Sequence, residues 1–547
     1  GVIVLTLHAL AMRLTGTSFT ERAAPVDDNS FRDILLDAVA LLKGDGQEDA
    51  AAGDDRLRER LLGGFRWILV DEYQDIGPEQ YELIAAIAGR SRSEDERINL
   101  LAVGDDDQNI YAFNGASVDF IRRFEADYKA KPAYLVDNYR STAHIIAAAN
   151  ALIAPLAVRM KAQHPIQIDA NRKKSAPGGA WQTIDMVSQG RVQILPAGRD
   201  VNTQAMAVMA ELERLAGLDP HWDWARCAII ARQWKWLEPL RSYCEWRGIP
   251  AQMAREDSGQ FWRLRETRQL LDWFATRDSP LITAAQLSAW LNASAVAGNP
   301  RHALLAEALE DYALETSEAE LPVAHCREWL AEWGREARRR QNELLLVSAH
   351  GAKGLEFDHV VVLDGEWDGR KEDPDVRARL YYVAMTRARL TLCLARFDSS
   401  RHPLLDGLRD GPHLLRRAPA DLPAPPAELA RRYLRPELKQ INLGFAGRSA
   451  STQPVHAAIA RLVPGSALSL RAVDASWQLR DDQDVVVGKM AKDFAPPADM
   501  RCIDARVNSI LVMDKATADP KFGEPRCERW EVVAPEFVFA PIEPTGG

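Results

Sequence analysis

A chain of 547 residues, 47% of them apolar, is long enough for three or four domains with real cores. Its formal charge of -10 leaves no overall basic footprint for nucleic acid, so any such contact has to rest on local patches. Six scattered cysteines (Cys227, Cys244, Cys326, Cys393, Cys502 and Cys527) argue against a zinc site and a disulfide framework, and the lack of a long apolar run or signal-peptide pattern points to a soluble, cytoplasmic protein.

Short apolar runs recur along the chain: VIVLT at 2–6, WILV at 67–70, NLLAV at 99–103, AYLV at 133–136, CAII at 227–230, LLLV at 344–347, HVVVL at 359–363 and LTLCLA at 390–395. Each is unbroken rather than alternating, the pattern of a strand covered on both faces. Helical patterns lie between them, which predicts an α/β fold with largely parallel sheets. Residues 20–64 are acidic and Ala-rich around one good helix, FRDILLDAVALL. Residues 161–205 hold KKSAPGG and PAGRD and read as an irregular crossing, whereas 262–342 carry Trp and Leu at helical spacings. RRAPADLPAPPAELARR at 416–432 is a Pro/Ala linker. Beyond it SALSLRA, SWQLRD, DVVVGKM, RCIDARVNSILVMD and RWEVV predict five short strands in a small β-barrel-like domain.

Chemistry gathers at the strand ends. WILV runs into Asp71 and Glu72, a pair suited to orienting a magnesium-bound water and activating an attacking one, although a solvated turn gives the same letters. NLLAVGDDDQNIYAFNGAS ends in three acids and Gln108, which can sense a terminal phosphate. Tyr111 and Phe113 follow, able to stack on a nucleobase or to fill a core. In YLVDNYRST, Arg140 can reach phosphoryl charge or sit in a surface ion pair, and Ser141 or Thr142 can cap the next helix. Arg379 and Arg387 lie eight residues apart, about 80° around a helix, and need an anion or an acid partner.

Taken in order, TLHALAMRL (6–14), DEYQD, GDDDQNIYAFNGA, NYRST, HGAKGLEFDHV and LYYVAMTRAR resemble the UvrD/Rep-type superfamily 1 DNA helicases. The resemblance covers residues 1 to about 396. It implies two RecA-like parallel-sheet domains, the first incomplete, that close on ATP and Mg2+ and move 3′ to 5′ along single-stranded DNA. It implies Asp71 as the metal ligand, Glu72 as the base, Gln108 on the γ-phosphate, and Arg140 and Arg387 as arginine fingers. Tyr139 matches the residue that packs on adenine, and Glu356 the one that contacts the ribose. Thr6, His8, Tyr111, Phe113, Ser348 and His350 fall on motifs that touch DNA. The implied plan is a first RecA-like domain at 1–130 with a short 1B-type insertion at about 15–64, then a second at 131–415 with a helical 2B-type insertion at about 258–342. A connecting segment at 416–454 and a β domain at 455–547 complete it. Two features depart from the family. Phe113 and Asn114 stand where IYxWRGA is common, and both insertions are short, which places translocation ahead of duplex unwinding.

The phosphate-cradling pattern GxxxxGK[ST] does not occur. Its nearest echo, Gly488-Lys489, is followed by Met490 and preceded by Gln483 where the first glycine belongs. In the resembled family the cradle precedes TLHALAMRL, so it is expected upstream of Gly1, and this chain alone is expected to be a poor ATPase. The chain reads as the C-terminal part of an ATP-dependent DNA helicase of replication, repair or recombination, acting on single strands and duplex junctions. The alternative is a non-hydrolysing remnant that binds DNA or docks a partner. A helicase–nuclease fusion is disfavoured, because the tail lacks a nuclease's acid-and-lysine constellation. In that tail Lys489, Lys492, Lys515 and Lys521 balance Asp481, Asp482, Asp484 and Asp514, which suits protein docking or weak DNA contact.

Overall fold

The computed structural model describes residues 5–16, 28–43, 61–111, 115–156, 158–253, 258–294, 296, 298–336, 341–367, 373–398, 401–474, 476–517 and 524–542. The chain divides into two units. One comprises Gly1–Thr17, Asp28–Ala254 and Arg340–Leu429; the other comprises Ser18–Asp27, Arg255–Arg339 and Ala430–Gly547. Among the described residues no helix is long and apolar enough to cross a membrane. All six cysteines are free thiols.

In the first unit, β1 (Trp67–Val70) pairs in parallel with β2 (Asn99–Ala102), Leu69 opposite Leu101. Val70, Tyr73, Ile76, Tyr81 and Ile84 form a core on one side, with Phe120 and Phe124 of the helix Val118–Tyr128 packed on it. Trp67 and Leu69 alternate with these inward residues and stay 64% and 70% exposed, so the expected burial on both faces does not hold for this strand.

Seven further strands make the main sheet: β3 (Val192–Pro196), β4 (Cys227–Ala231), β5 (Ala251–Met253), β6 (Leu344–Ser348), β7 (Phe357–Val362), β8 (Ala388–Arg396) and β9 (Leu414–Arg416). All pair in parallel, in the order β9-β3-β8-β7-β4-β6-β5. Here the unbroken apolar runs do mean burial on both faces. Ile194, Ile230, Val347, Val360 and Val362 pack to one side, under the helices Ala143–Ile153 and Pro374–Met385. Leu195, Ile229, Leu346 and Val361 pack to the other, under Val201–Ala216 and Glu238–Arg247. Each such side chain contributes roughly 1.5–3 kcal/mol, and the alternation fixes the register. The irregular crossing also has a packing reason: a Cβ on Gly178 would lie 2.4 Å from the Gln189 carbonyl.

Among the described residues one expected strand is absent, and another falls mostly outside them. AYLV has no strand neighbour among the described residues; Leu135 is 85% exposed, and pairing is confined to Asp137–Asn138 with Gln167–Ile168. Residues 2–4 of VIVLT lie outside the described residues, and Thr6 caps the helix Leu7–Thr15 by accepting from the Ala9 amide at 3.2 Å.

The second unit joins two stretches that read separately in the sequence. Its helices are Arg265–Ala275, Ala284–Ser294, Pro300–Thr316, Val323–Glu336 and, within the tail, Pro454–Arg461. Its strands are β10 (Arg432–Leu434), β11 (Ser469–Val473), β12 (Ser476–Arg480), β13 (Val486–Lys489), β14 (Met500–Asp514) and β15 (Arg529–Pro541). They form two three-stranded antiparallel sheets, β10-β15-β14 and β11-β12-β13, and a short antiparallel pairing of Leu281–Ile282 with Leu321–Pro322 lies among the helices. Leu270, Phe274, Leu309, Tyr312 and Leu330 of the helices share one core with Leu479, Val507, Leu511, Trp530 and Phe537 of the strands. Arg265 adds a two-pronged ion pair to Glu531 at 2.5 and 2.6 Å.

Candidate active site

The end of β1 turns sharply. Glu72 takes a left-handed conformation (φ 49°, ψ 40°), strained for a residue with a Cβ, and the short helix Tyr73–Asp75 follows. Its carboxylate is exposed and accepts from the Gln74 side chain. Asp71 is exposed too, with Oδ1 accepting from the Glu72 amide at 2.8 Å. Gln74 is fully buried and ties the two strand ends together, its Oε1 accepting from the Asp105 amide at 2.9 Å. That approach explains a glycine at 104, where a Cβ would lie 2.5 Å from Gln74 Oε1.

At the end of β2, Gln108 donates through Nε2 to Asp105 Oδ2 at 2.8 Å, and its Oε1 lies 3.5 Å from Arg387 Nη2. Arg387 is buried, donating to the carbonyls of Val383 (2.9 Å) and Leu355 (3.3 Å) and to the Thr386 hydroxyl (3.2 Å). Burial, and then the nearby Arg140 charge, push its pKa down to about 10. The helix Pro374–Met385 stops before Arg387, so Arg379 and Arg387 do not share a helix face as their spacing suggested. Arg379 lies within that helix, its Nη2 3.5 Å from the Val158 carbonyl.

Arg140 pairs with Glu356 and reaches the Thr386 carbonyl at 3.4 Å, while its Nε is buried without a partner. The pairing holds the Glu356 carboxyl below the usual range. Asn138 Oδ1 accepts from the amides of Arg140 and Ser141 at 3.0 and 2.9 Å, setting the loop. Neither expected capping side chain caps the next helix: Ser141 Oγ donates instead to the Ala388 carbonyl at 2.7 Å, and Thr142 makes no cap bond. Tyr139, next to Arg140, is 69% exposed.

Lys353, in the HGAKGLEF loop, is a site residue that motif reading passed over. It is buried, pairs with Asp75, lies 3.7 Å from Glu72 Oε2, and donates to the Gln108 carbonyl at 3.1 Å. Its Nζ sits 5.1 Å from the centre of the Tyr111 ring. The available signal was a lone cation between two strands of unbroken apolar sequence, where burial demands an acid. Burial raises the Asp75 pKa against the pull of Lys353.

Of the DNA-contact candidates, Tyr111 and His350 come together, ring centres 6.2 Å apart. Burial lowers the His350 pKa to about 4, so the ring is neutral at pH 7. Ser348 ends β6 and accepts from the Gly351 amide at 3.2 Å. Thr6 and His8 lie at the start of the helix Leu7–Thr15, and Phe113 lies outside the described residues.

Asp105, Asp106 and Asp107 form, among the described residues, the one group of acids close enough to hold a metal, with ligand atoms within 4.8 Å. Each is already engaged: Asp107 by Arg159 at 2.6 and 2.8 Å, Asp106 by the Met160 amide at 2.9 Å, and Asp105 by Lys161 at 2.5 Å.

Comparison with known proteins finds two domain matches. Residues 9–129 match the UvrD/REP helicase N-terminal domain, and residues 344–395 match the UvrD-like helicase C-terminal domain. Both matched stretches are therefore UvrD-type helicase domains. The ATP-dependent DNA helicase UvrD2 of Mycobacterium tuberculosis is 29% identical over 408 residues, covering 68% of this chain and 52% of that protein. The M. tuberculosis ATP-dependent DNA helicase UvrD1 is 46% identical over 126 residues (23% and 15%), and DNA helicase II of Haemophilus influenzae 46% over 96 residues (18% and 12%). The chain thus spans about half the length of the first of these relatives, and its matches cover far less of the others. The matched domains contain Glu72, Gln108, Lys353, Glu356 and Arg387, while Arg140 and the whole 159–161 segment fall between them.

Proposed function

We propose that this chain is part of a cytoplasmic ATP-dependent DNA helicase or translocase that moves 3′ to 5′ on single-stranded DNA, in replication, repair or recombination. The observation that carries this is a charge imbalance: Arg140 and Arg387 approach one another with Glu356 as the acid paired to Arg140, and Arg140 Nε has no acceptor. Arg387 is held by neutral acceptors. Two guanidiniums so placed fit a triphosphate, whose charge they would offset as it redistributes in the transition state. Gln108, between Arg387 and Asp105, then senses the terminal phosphate, and exposed Glu72 takes the proton of the attacking water. Asp71 would hold Mg2+, which supplies charge neutralisation when bound. Exposed Tyr139 is free to pack on adenine, with Glu356 near the ribose.

Tyr111, Ser348 and His350 form one part of the strand-contact surface, and Thr6, His8 and Phe113 extend it. Single strands and duplex junctions are the substrates, and residues up to about 130 belong to the first RecA-like domain. Turnover also needs a phosphate cradle of backbone amides and a lysine, and these 547 residues hold no GxxxxGK[ST]. On its own the chain hydrolyses ATP poorly. A non-hydrolysing remnant is the weaker reading, because it has no physical need for Glu72, Gln108 and two converging arginines. The test is Glu72→Gln in the full-length protein. It should abolish single-strand-stimulated ATPase and leave ATP binding within about threefold, a free-energy change well under the 1.4 kcal/mol of a tenfold effect. Equal loss of binding and turnover would remove Glu72 as base, and a wild-type protein with no DNA-stimulated turnover would overturn the function.

A further inference from the structure

The run Asp105-Asp106-Asp107 has the look of a cation site, yet every one of its carboxylates is taken by three consecutive residues of a distant segment. Arg159 grips both oxygens of Asp107, Nε to Oδ1 at 2.8 Å and Nη2 to Oδ2 at 2.6 Å. The Met160 amide donates to Asp106 Oδ2 at 2.9 Å, with Arg122 Nη2 3.5 Å away, and burial holds the Asp106 pKa up. Lys161 Nζ lies 2.5 Å from Asp105 Oδ2. That same oxygen accepts from Gln108 Nε2 at 2.8 Å. The clamp therefore ends on the side chain assigned to phosphate sensing.

A carboxylate only accepts, whereas an amide has one end of each kind. Facing Asp105, Gln108 must present its NH2 group, which leaves Oε1 toward Arg387 at 3.5 Å. A flipped amide would set oxygen against oxygen at Asp105 and N–H against guanidinium at Arg387. The Lys161 ammonium supplies a counter-charge that holds the Asp105 carboxylate in place beside two further acids. We propose that Asp105 and Lys161 are positioning residues that fix the orientation of the Gln108 amide, with Arg159 and Met160 anchoring the segment that carries Lys161. Asn in place of Asp105 would offer both a donor and an acceptor and so remove the selection, with little change in size.

This rests on the ATPase reading above, and the experiment separates the two. In the full-length protein, Lys161→Met and Asp105→Asn should lower DNA-stimulated kcat by roughly tenfold to a hundredfold, the scale of a misaligned reacting group. KM for ATP should stay within about twofold. Lys161→Arg should restore most of the rate, and Lys161→Met should add no further loss in a Gln108→Ala background, since both act through one amide. Additive losses, or a lowered melting temperature with unchanged kcat, would overturn the positioning role while leaving the ATPase intact. Absence of turnover in the wild type would overturn both.

Discussion

Replacing Lys353 by Met keeps most of the buried stem and removes only the charge, so the cost falls on the groups that Nζ serves. Asp75 suffers most. Its Oδ1 already lacks a partner, and without Lys353 its Oδ2 keeps a single 3.4 Å contact from Gln74 Nε2. The Gln108 carbonyl loses its 3.1 Å donor as well. Breaking a buried pair in this way costs about 3–5 kcal/mol, and the lower end applies because Asp75 can take up a proton. Its pKa is raised in the fold by burial, and Lys353 is the group that pulls it down. An acid whose folded pKa lies above its unfolded value favours the fold at low pH and loses that advantage as pH rises through the folded pKa. The Lys353→Met penalty should accordingly grow as pH rises from the acid side, and Asp75→Asn in the same chain should recover more than half of it. Hydrogen exchange of residues 99–111 in mild urea reads the local stability at the site. A penalty under about 1 kcal/mol at pH 7, or no recovery with Asp75→Asn, would refute Lys353 as the compensating cation.

Gly104→Ala should push Gln74 from its place, because the new Cβ would sit 2.5 Å from Gln74 Oε1 and 2.8 Å from Ile121 Cδ1. A loss of about 1–3 kcal/mol in urea unfolding is expected, and wild-type stability would show that the loop yields freely. Burial places the pKa of His144, His350 and His359 each at about 4, below the ordinary 6.5. For a base with a depressed pKa the stabilisation is complete above 6.5 and drains away as pH falls toward 4, so unfolding midpoints should drop below pH 6.5, before most carboxylates titrate. A flat profile between pH 6.5 and 5 would contradict their burial as neutral rings. Truncation at residue 430 should melt the helices between 265 and 336, seen as lost helical ellipticity and new protease sensitivity, because Leu270, Phe274, Leu309 and Tyr312 would lose the strands they pack on. Intact helices in the truncated chain would show that they hold a core of their own.

Local chemistry made much of this protein legible from its letters. Unbroken apolar runs gave the inner strands of the main sheet, since a strand buried on both faces has no polar side to show. The tail's five strands were equally visible as short apolar segments between turns. Acids, a glutamine and arginines at strand ends marked the catalytic candidates, because parallel sheets present ligands at those ends. What sequence could not decide was which distant groups meet. VQILP became the inner strand β3 without being expected as one, while AYLV, more apolar, stayed outside any sheet for want of a neighbour. Three consecutive acids after β2 named no partners in the sequence; Arg159, Met160 and Lys161 close on them across more than fifty positions. Lys353 gained its role through Asp75, 278 residues away. The helical stretch and the β tail, read as separate pieces, fused into one core because neither buries its apolar face alone. Periodicity and strand-end chemistry are written into neighbouring residues, whereas compensation of buried charge is settled only when the chain brings remote partners into contact.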